Sequence, residues 1–208
     1  MRDRDTEQRI LDAAHSVFVR RGTAGARMQE IAEEAGVNKA LLHYYFRNKA
    51  RLGDAIFRRV AQELFARVGA VLGGDASLDE KVRHVVGLYI DQLMLTPYAP
   101  GYVIGEVTQH PVRARQLLEA VAQLRADALG GHFIARLAKQ LEQLARDGAI
   151  RPISIEQFLA NLASLCVFPF AAKPLLSAVL QLDERGFERF MRERKATLAD
   201  FILNALRP

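Results

Sequence analysis

An all-α fold follows from three observations. Apolar residues recur at i, i+3 and i+4 along most of the chain, no stretch alternates with the period of two that a half-buried strand requires, and glycine, proline and capping residues stand where the helical stretches would begin and stop. With 208 residues, half of them apolar, the chain can bury a core in one or two domains.

Thr6 is placed to cap a first helix, with Glu7 in its first turn and Ile10, Ala14, Val17, Phe18 and Arg21 at helical spacing until Gly22. The stretch from Met28 to Phe46, MQEIAEEAGVNKALLHYYF, then reads as helix, tight turn, helix. Ile31, Ala32 and Ala35 share a face, Gly36 suits a left-handed helix end, and Asn38 is a good N-cap for the second helix of the pair. Small Ala32 facing Leu42 and Tyr45 allows a close crossing, so Tyr45 and Phe46 belong to the core. The crossing leaves Lys39, Ala40, His43 and Tyr44 outside, with Leu41 between them. A basic, small and aromatic helix face suits a DNA major groove, where it meets both phosphates and base edges.

Asn48 opens a long fourth helix through Leu52, Ile56, Val60, Leu64 and Val68 to Gly73 and Gly74. Ser77 and Glu80 form a capping box before Val82, Val85, Val86 and Tyr89, and Pro97 and Pro100 close that helix. A shorter helix spans Gly101 to Gln109. From Pro111 the apolar pattern continues through Leu117, Leu124, Phe133, Leu137, Leu141 and Leu144, with a bend expected at Gly130 and Gly131 and a stop at Asp147 and Gly148. Ser154 and Gln157 repeat the capping box before Phe158, Leu162, Leu165 and Cys166, and Pro169 is expected to break or kink that helix. The last helix begins near Asp183 and carries Phe187, Phe190, Met191, Leu198, Phe201, Ile202 and Ala205 on one stripe.

Charge is unevenly placed. The formal net charge is +5, and residues 1–60 hold 12 Lys and Arg against 8 Asp and Glu, so most of the excess surrounds the helix pair. A single cysteine, Cys166, excludes an intrachain disulfide, and its apolar neighbours favour a buried structural thiol over a nucleophile or redox sensor. Met1 to Arg9 is charged and lacks the apolar core of an export signal, and the longest uncharged run is too short to span a bilayer. A cytoplasmic protein without a membrane partner is expected.

The capped first helix, IAEEAGVNKALLHYYF, and NKARL at the start of a long helix together resemble the tetracycline-repressor (TetR-type) family of transcriptional regulators over about Thr6 to Phe57. Beyond Phe57 the similarity rests on helix count and order. The resemblance implies a three-helix DNA-binding domain at residues 1–50, with its helix-turn-helix at 27–46, and a helical effector-binding and dimerisation domain at 51–208. Proteins of this kind usually repress, and leave a palindromic double-stranded operator when a small effector binds. No cofactor or metal is implied.

Carried onto this sequence, the resemblance assigns DNA contacts to Arg27, Gln29, Asn38, Lys39, Leu41, His43, Tyr44 and Lys49. Lys39 begins the recognition helix and suits a phosphate or a guanine edge. His43 stands where the family often has a phosphate-touching tyrosine, and it makes that contact sensitive to pH. Arg27 replaces a common serine or threonine cap, and Leu41 replaces a frequent threonine, which leaves an apolar group for a thymine methyl.

One short recognition helix reads only a few base pairs, so a homodimer on a two-fold site is expected. Phe187, Phe190, Met191, Leu198, Phe201 and Ile202 of the last helix, with Phe158, Leu162 and Leu165, form the candidate four-helix interface. The alternative is burial of that stripe within one chain. Tyr89, Met94, Tyr98, Tyr102, Glu106, Gln109, Phe133 and Phe168 are candidates to line a pocket for an effector of unknown class, each of them also an ordinary core residue. Two rival functions are a small helical enzyme and a helical protein-interaction module. Against an enzyme, the chain lacks a nucleophile elbow, a phosphate loop, paired cysteine ligands and a His-Glu-x-x-His helix.

Overall fold

The computed structural model describes residues 2–95, 97, 99–109, 112, 115 and 133–208. Among them are ten helices and no strand. The chain divides into two compact units, one of Met1–Glu63 with Gly101–Ala120 and the other of Leu64–Pro100 with Val121–Pro208.

In the first unit, α1 (Arg2–Gly25) packs on α2 (Met28–Glu34), and α2 on α3 (Lys39–Tyr45). The helix starts at Arg2, ahead of the expected Thr6 cap, because nothing in the Arg2–Asp5 stretch interrupts a helix and Thr6 lies inside it. Gly22 does break the regular backbone, at φ 66° and ψ 167°, three residues before α1 ends. The core beneath the three helices is Ile10, Ala14, Val17, Phe18, Ile31, Ala32 and Leu42, sealed by Leu52 and Ile56 of α4 (Lys49–Gly73). Val103 of α6 (Ala99–Gln109) packs against the same cluster.

The turn between α2 and α3 is built from backbone hydrogen bonds. Gly36 takes φ 64°, Val37 N–H donates to Ala32 C=O at 3.0 Å, and Gly36 N–H donates to Glu33 C=O at 3.1 Å. This is the Schellman arrangement, which satisfies two carbonyls left over at the end of α2. Asn38 then caps α3, its Oδ1 accepting from Leu41 N–H at 2.7 Å. Asn48 does the same for α4, accepting from Arg51 N–H at 2.9 Å.

The second unit is built around α5 (Leu78–Leu95) and α10 (Glu184–Ala205), which pack along each other with α8 (Ile155–Ala171) against α5. The reciprocal capping box at the start of α5 is present: Ser77 N–H donates to Glu80 Oε2 at 2.9 Å, and Glu80 N–H donates to Ser77 Oγ at 3.2 Å. The next helix along the chain, α6, begins at Ala99. α7 (Phe133–Arg146) ends in a second Schellman turn at Gly148, φ 70°, with Ala149 N–H on Leu144 C=O at 2.9 Å. The expected bend at Gly130 and Gly131, and Leu117 and Leu124 before it, lie outside the described residues.

Pro169 does not break α8 where it stands. The helix continues to Ala171, and the chain turns by 72° into α9 (Lys173–Val179). A proline has no N–H for the carbonyl four residues earlier, here that of Leu165. Arg194 of α10 fills the vacancy, its Nη2 and Nε donating to Leu165 O at 2.9 and 3.2 Å. The helix therefore tolerates its proline because a neighbouring helix supplies the missing donor. Among the described residues no single helix is long and apolar enough to cross a membrane.

Candidate nucleic-acid interface

α3 commits only one fully buried side chain, Leu42, to the core. Lys39, Ala40, His43 and Tyr44 are exposed, Tyr44 at 77%, and Leu41 is 36% exposed. Phe46 is buried and Tyr45 is half-buried against the core, both as expected. The Tyr44 ring meets Tyr45 edge to face at 5.4 Å, which restricts the exposed ring. The helix thus presents a cationic, aromatic and apolar surface that the fold itself does not use.

Around this face the acids are engaged elsewhere. Glu34 of α2 pairs with Arg20 of α1 at 2.5 Å, and Glu30 pairs with Arg21 at 2.8 Å. The Arg20 guanidinium holds the Glu34 carboxyl below the usual carboxylate range, chiefly by its hydrogen bond. Asp12 of α1 pairs with Arg59 of α4 at 2.8 Å. By contrast Arg27, Lys39, Arg47 and Arg51 are exposed and make no ion pair among the described residues. The pairing of acids with α1 and α4 leaves Arg27 before α2, Lys39 on α3 and Arg47 after it without a carboxylate partner among the described residues.

The remaining expected contacts occupy distinct local settings. Arg27 is the residue before α2, at φ −110° and ψ 137°, and makes no side-chain cap. Gln29 donates to Glu33 Oε1 at 2.8 Å, one turn along the same helix. Asn38 uses its oxygen to cap α3, so its role is structural first. Lys49 donates Nζ to the carbonyl of Ala26 at 3.0 Å, tying the start of α4 to the start of α2. His43 Nδ1 lies 3.3 Å from the carbonyl of Arg47. Sequence reasoning passed over Arg47 and Arg51, which extend the exposed cations past the recognition helix; their signal was the local charge excess.

The expected dimer interface needs correction. Phe158, Leu162, Phe187, Met191, Leu198 and Ile202 are all at most 6% exposed within a single chain and belong to the core of the second unit. They are buried because the stripe of α10 faces α5 and its neighbours, with Phe187 edge to face on Phe170 at 5.9 Å. Leu165 and Phe190 are half-buried, and Phe201 alone of the set is exposed, at 61%. Other large apolar side chains exposed on the second unit are Leu95, Phe168, Leu175, Val179 and Leu180.

The pocket candidates have different settings within their own units. Tyr89 is a core residue, Met94 and Phe133 pack partly buried against the same core, and Phe168 is exposed. The Phe133 ring lies over Gly69 of α4, a contact that the missing side chain makes close. Gln109 is exposed in the first unit, whereas Tyr98 and the side chains of Tyr102 and Glu106 lie outside the described residues. Burial pushes both the Tyr89 phenol and the Cys166 thiol up to about 12, so Cys166 stays a neutral thiol. No group of three or more His, Cys, Asp or Glu side chains able to hold a metal ion occurs among the described residues.

Known proteins give this geometry its family. Residues 10–56 match the model for bacterial regulatory proteins of the tetR family. The HTH-type transcriptional repressor NicS of Pseudomonas putida is 28% identical over 180 residues, which is 86% of this chain and 82% of NicS. The HTH-type transcriptional regulator BetI of Rhizobium meliloti is 31% identical over 67% of this chain and 70% of its own. A transcriptional regulator of the TetR/AcrR family from Thermobifida fusca has the same fold, with a TM-score of 0.62 at 16% identity over 98% of this chain and 100% of that one. The exposed helix face, the two-helix turn that builds it and these relatives agree: the chain belongs to the tetR family of bacterial regulatory proteins and is a DNA-binding transcriptional regulator, not an enzyme.

Proposed function

We propose that the protein is a repressor that binds a palindromic operator as a homodimer, laying α3 of each protomer in a major groove. The observation that carries this is the exposed face of Lys39, Leu41, His43 and Tyr44, with Arg27, Arg47 and Arg51 exposed nearby in the chain and in no ion pair among the described residues. Lys39 contacts a phosphate or a guanine edge, Leu41 a thymine methyl, and Tyr44 the groove wall. Arg27, Gln29, Arg47, Lys49 and Arg51 serve the backbone, where position and not sequence is set. Residues 1–50, with Arg51 just beyond them, hold this reading function and the rest of residues 51–208 the effector and dimer functions. Its site of action is the cytoplasm, where the operator is.

For dimerisation, the exposed Phe201, with Phe168 and the half-buried Leu165 and Phe190, takes the place of the core residues first considered. NicS carries the name of a repressor, which supports repression. The fold also occurs in the regulator FadR of Bacillus subtilis in complex with stearoyl-CoA, with a TM-score of 0.63 at 15% identity over 96% of this chain and 99% of that one, which supports a small-molecule effector. Binding of the effector favours a conformation in which α4, whose residues run from one unit into the other, is tilted. Half-sites sit about one helical turn apart, roughly 34 Å, so a change of a few ångströms between the two copies of α3 releases the DNA.

The test is a salt titration of binding to a duplex selected from a random pool. Log affinity should fall linearly with log salt, and Lys39→Ala should lower the slope by about 0.9 for each phosphate contact removed. Affinity that does not respond to salt would overturn the DNA-contact reading.

A further inference from the structure

His43 is the one histidine of α2 and α3, and its two ring nitrogens face different tasks. Nδ1 lies 3.3 Å from the backbone oxygen of Arg47, beyond the end of α3. A carbonyl oxygen only accepts, so Nδ1 must carry the hydrogen. A neutral imidazole has a single N–H, which leaves Nε2 as a lone pair. Presented to a phosphate, that lone pair repels, whereas an imidazolium donates from both nitrogens at once.

The surroundings say where the counter-charge comes from. On α3 itself the other charged group is Lys39, one turn earlier, and Arg47 lies just past the helix. The carboxylates of α2, which packs against α3, are Glu30, Glu33 and Glu34, and these are taken by Arg21, Gln29 and Arg20. At the start of α4 the charged groups are Lys49 and Arg51. No carboxylate pairs with His43 among the described residues, and every charged group next to it along the chain is a cation. An anion from outside is the natural partner of the protonated ring.

We propose that His43 is a proton-linked DNA contact: its imidazolium, steadied through Nδ1 by the Arg47 carbonyl, donates from Nε2 to a backbone phosphate. This rests on the reading that α3 enters the groove. Each protomer that docks with a neutral ring takes up one proton from the buffer, and the bond Nε2–H is the only one formed. The sign comes from linkage. The bound phosphate favours the charged ring, so the added affinity is greatest at acidic pH and is lost as pH rises.

The experiment measures anisotropy of a fluorescein-labelled duplex carrying the two-fold sequence that the full-length protein selects at pH 6. Kd should rise by roughly tenfold between pH 5.5 and pH 8, and the salt slope should be steeper at pH 5.5 by about 0.9 per protomer. His43→Phe should bind weakly and with no pH response, and His43→Lys tightly and with none. Because the ring is exposed, both variants should melt with the parent. Calorimetry in two buffers of different ionisation enthalpy reads the proton directly, as a net uptake on binding that matches the slope of log Kd against pH. A pH-independent parent, a His43→Phe variant that keeps the parent's pH response, or zero proton uptake would overturn the inference alone, since salt-sensitive DNA binding would still stand. No DNA binding at any pH would overturn the DNA-contact reading and this inference together.

Discussion

α3 and α10 are both amphipathic helices, and they use their faces in opposite ways. The seven residues of α3 bury only Leu42, whereas the 22 residues of α10 bury Gly186, Phe187, Met191, Leu198, Ala199 and Ile202 in their own chain. A helix that buries so little is held by its neighbours and caps, and its remaining surface is free for a partner. A helix that buries a full stripe already has its partner inside the protomer. Exposed chemistry on α3 therefore points to function, while apolar chemistry on α10 points first to the core.

The sharpest way to break this contrast is to truncate both anchors. Phe187→Ala should destabilise the protein by about 3–5 kcal/mol in urea unfolding, and Leu42→Ala by about 2–5 kcal/mol. Leu42→Ala should also abolish DNA binding, because Leu42 holds the recognition helix onto α1 and α2. Losses below about 1 kcal/mol at Phe187 would put its ring at a surface instead of in a core.

Next in size is the Arg194 contact. Arg194→Leu leaves the carbonyl of Leu165 without its donor and should cost about 1–3 kcal/mol. Adding Pro169→Ala restores a backbone N–H to that carbonyl, so the double variant should recover most of the loss. Equal stability of the Arg194→Leu single variant and the parent would remove this account of how α8 passes through its proline.

On the reading face the effect moves from stability to affinity. Lys39→Ala should weaken operator binding by roughly fivefold to tenfold, an order of 1 kcal/mol, with an unchanged melting temperature. A fall in melting temperature without a loss of affinity would make Lys39 structural and erase its contrast with α10. The smallest effect concerns the start of α5. The hydroxyl of Ser77, and then its N–H, hold the Glu80 carboxyl below the usual carboxylate range. Its stabilising contribution is present above that range and is lost as pH falls through the lowered value, so Glu80→Gln should flatten the acid side of the stability curve. Identical acid profiles would leave the capping box without an electrostatic part.

The same contrast explains what the sequence made legible. Local signals with one solution are legible: Gly36 as a left-handed helix end and Gly148 as a helix stop, Asn38, Ser77 and Ser154 as caps, Asn48 and Asp183 as helix starts, and Leu42 as the inward anchor of an exposed helix. Each depends on residues within one turn. The stripe on α10 has two solutions, a second subunit or α5 of its own chain, and periodicity is the same for both. The break expected at Pro169 comes only at Ala172 for a related reason, since the donor that lets the helix pass through its proline comes from Arg194, 25 positions away in the chain. Pocket residues were the least legible, because a tyrosine such as Tyr89 has the same helical spacing whether it faces a ligand or the core.

The most direct test of the central claim, that the exposed face of α3 reads DNA, is selection of bound duplexes from a random pool at low salt, run in parallel with the full-length protein and its Lys39→Ala, Tyr44→Ala variant. The account predicts a two-fold consensus for the parent and loss or relaxation of that consensus, at unchanged melting temperature, for the variant. No enrichment by the parent, or the same consensus from both proteins, would contradict it.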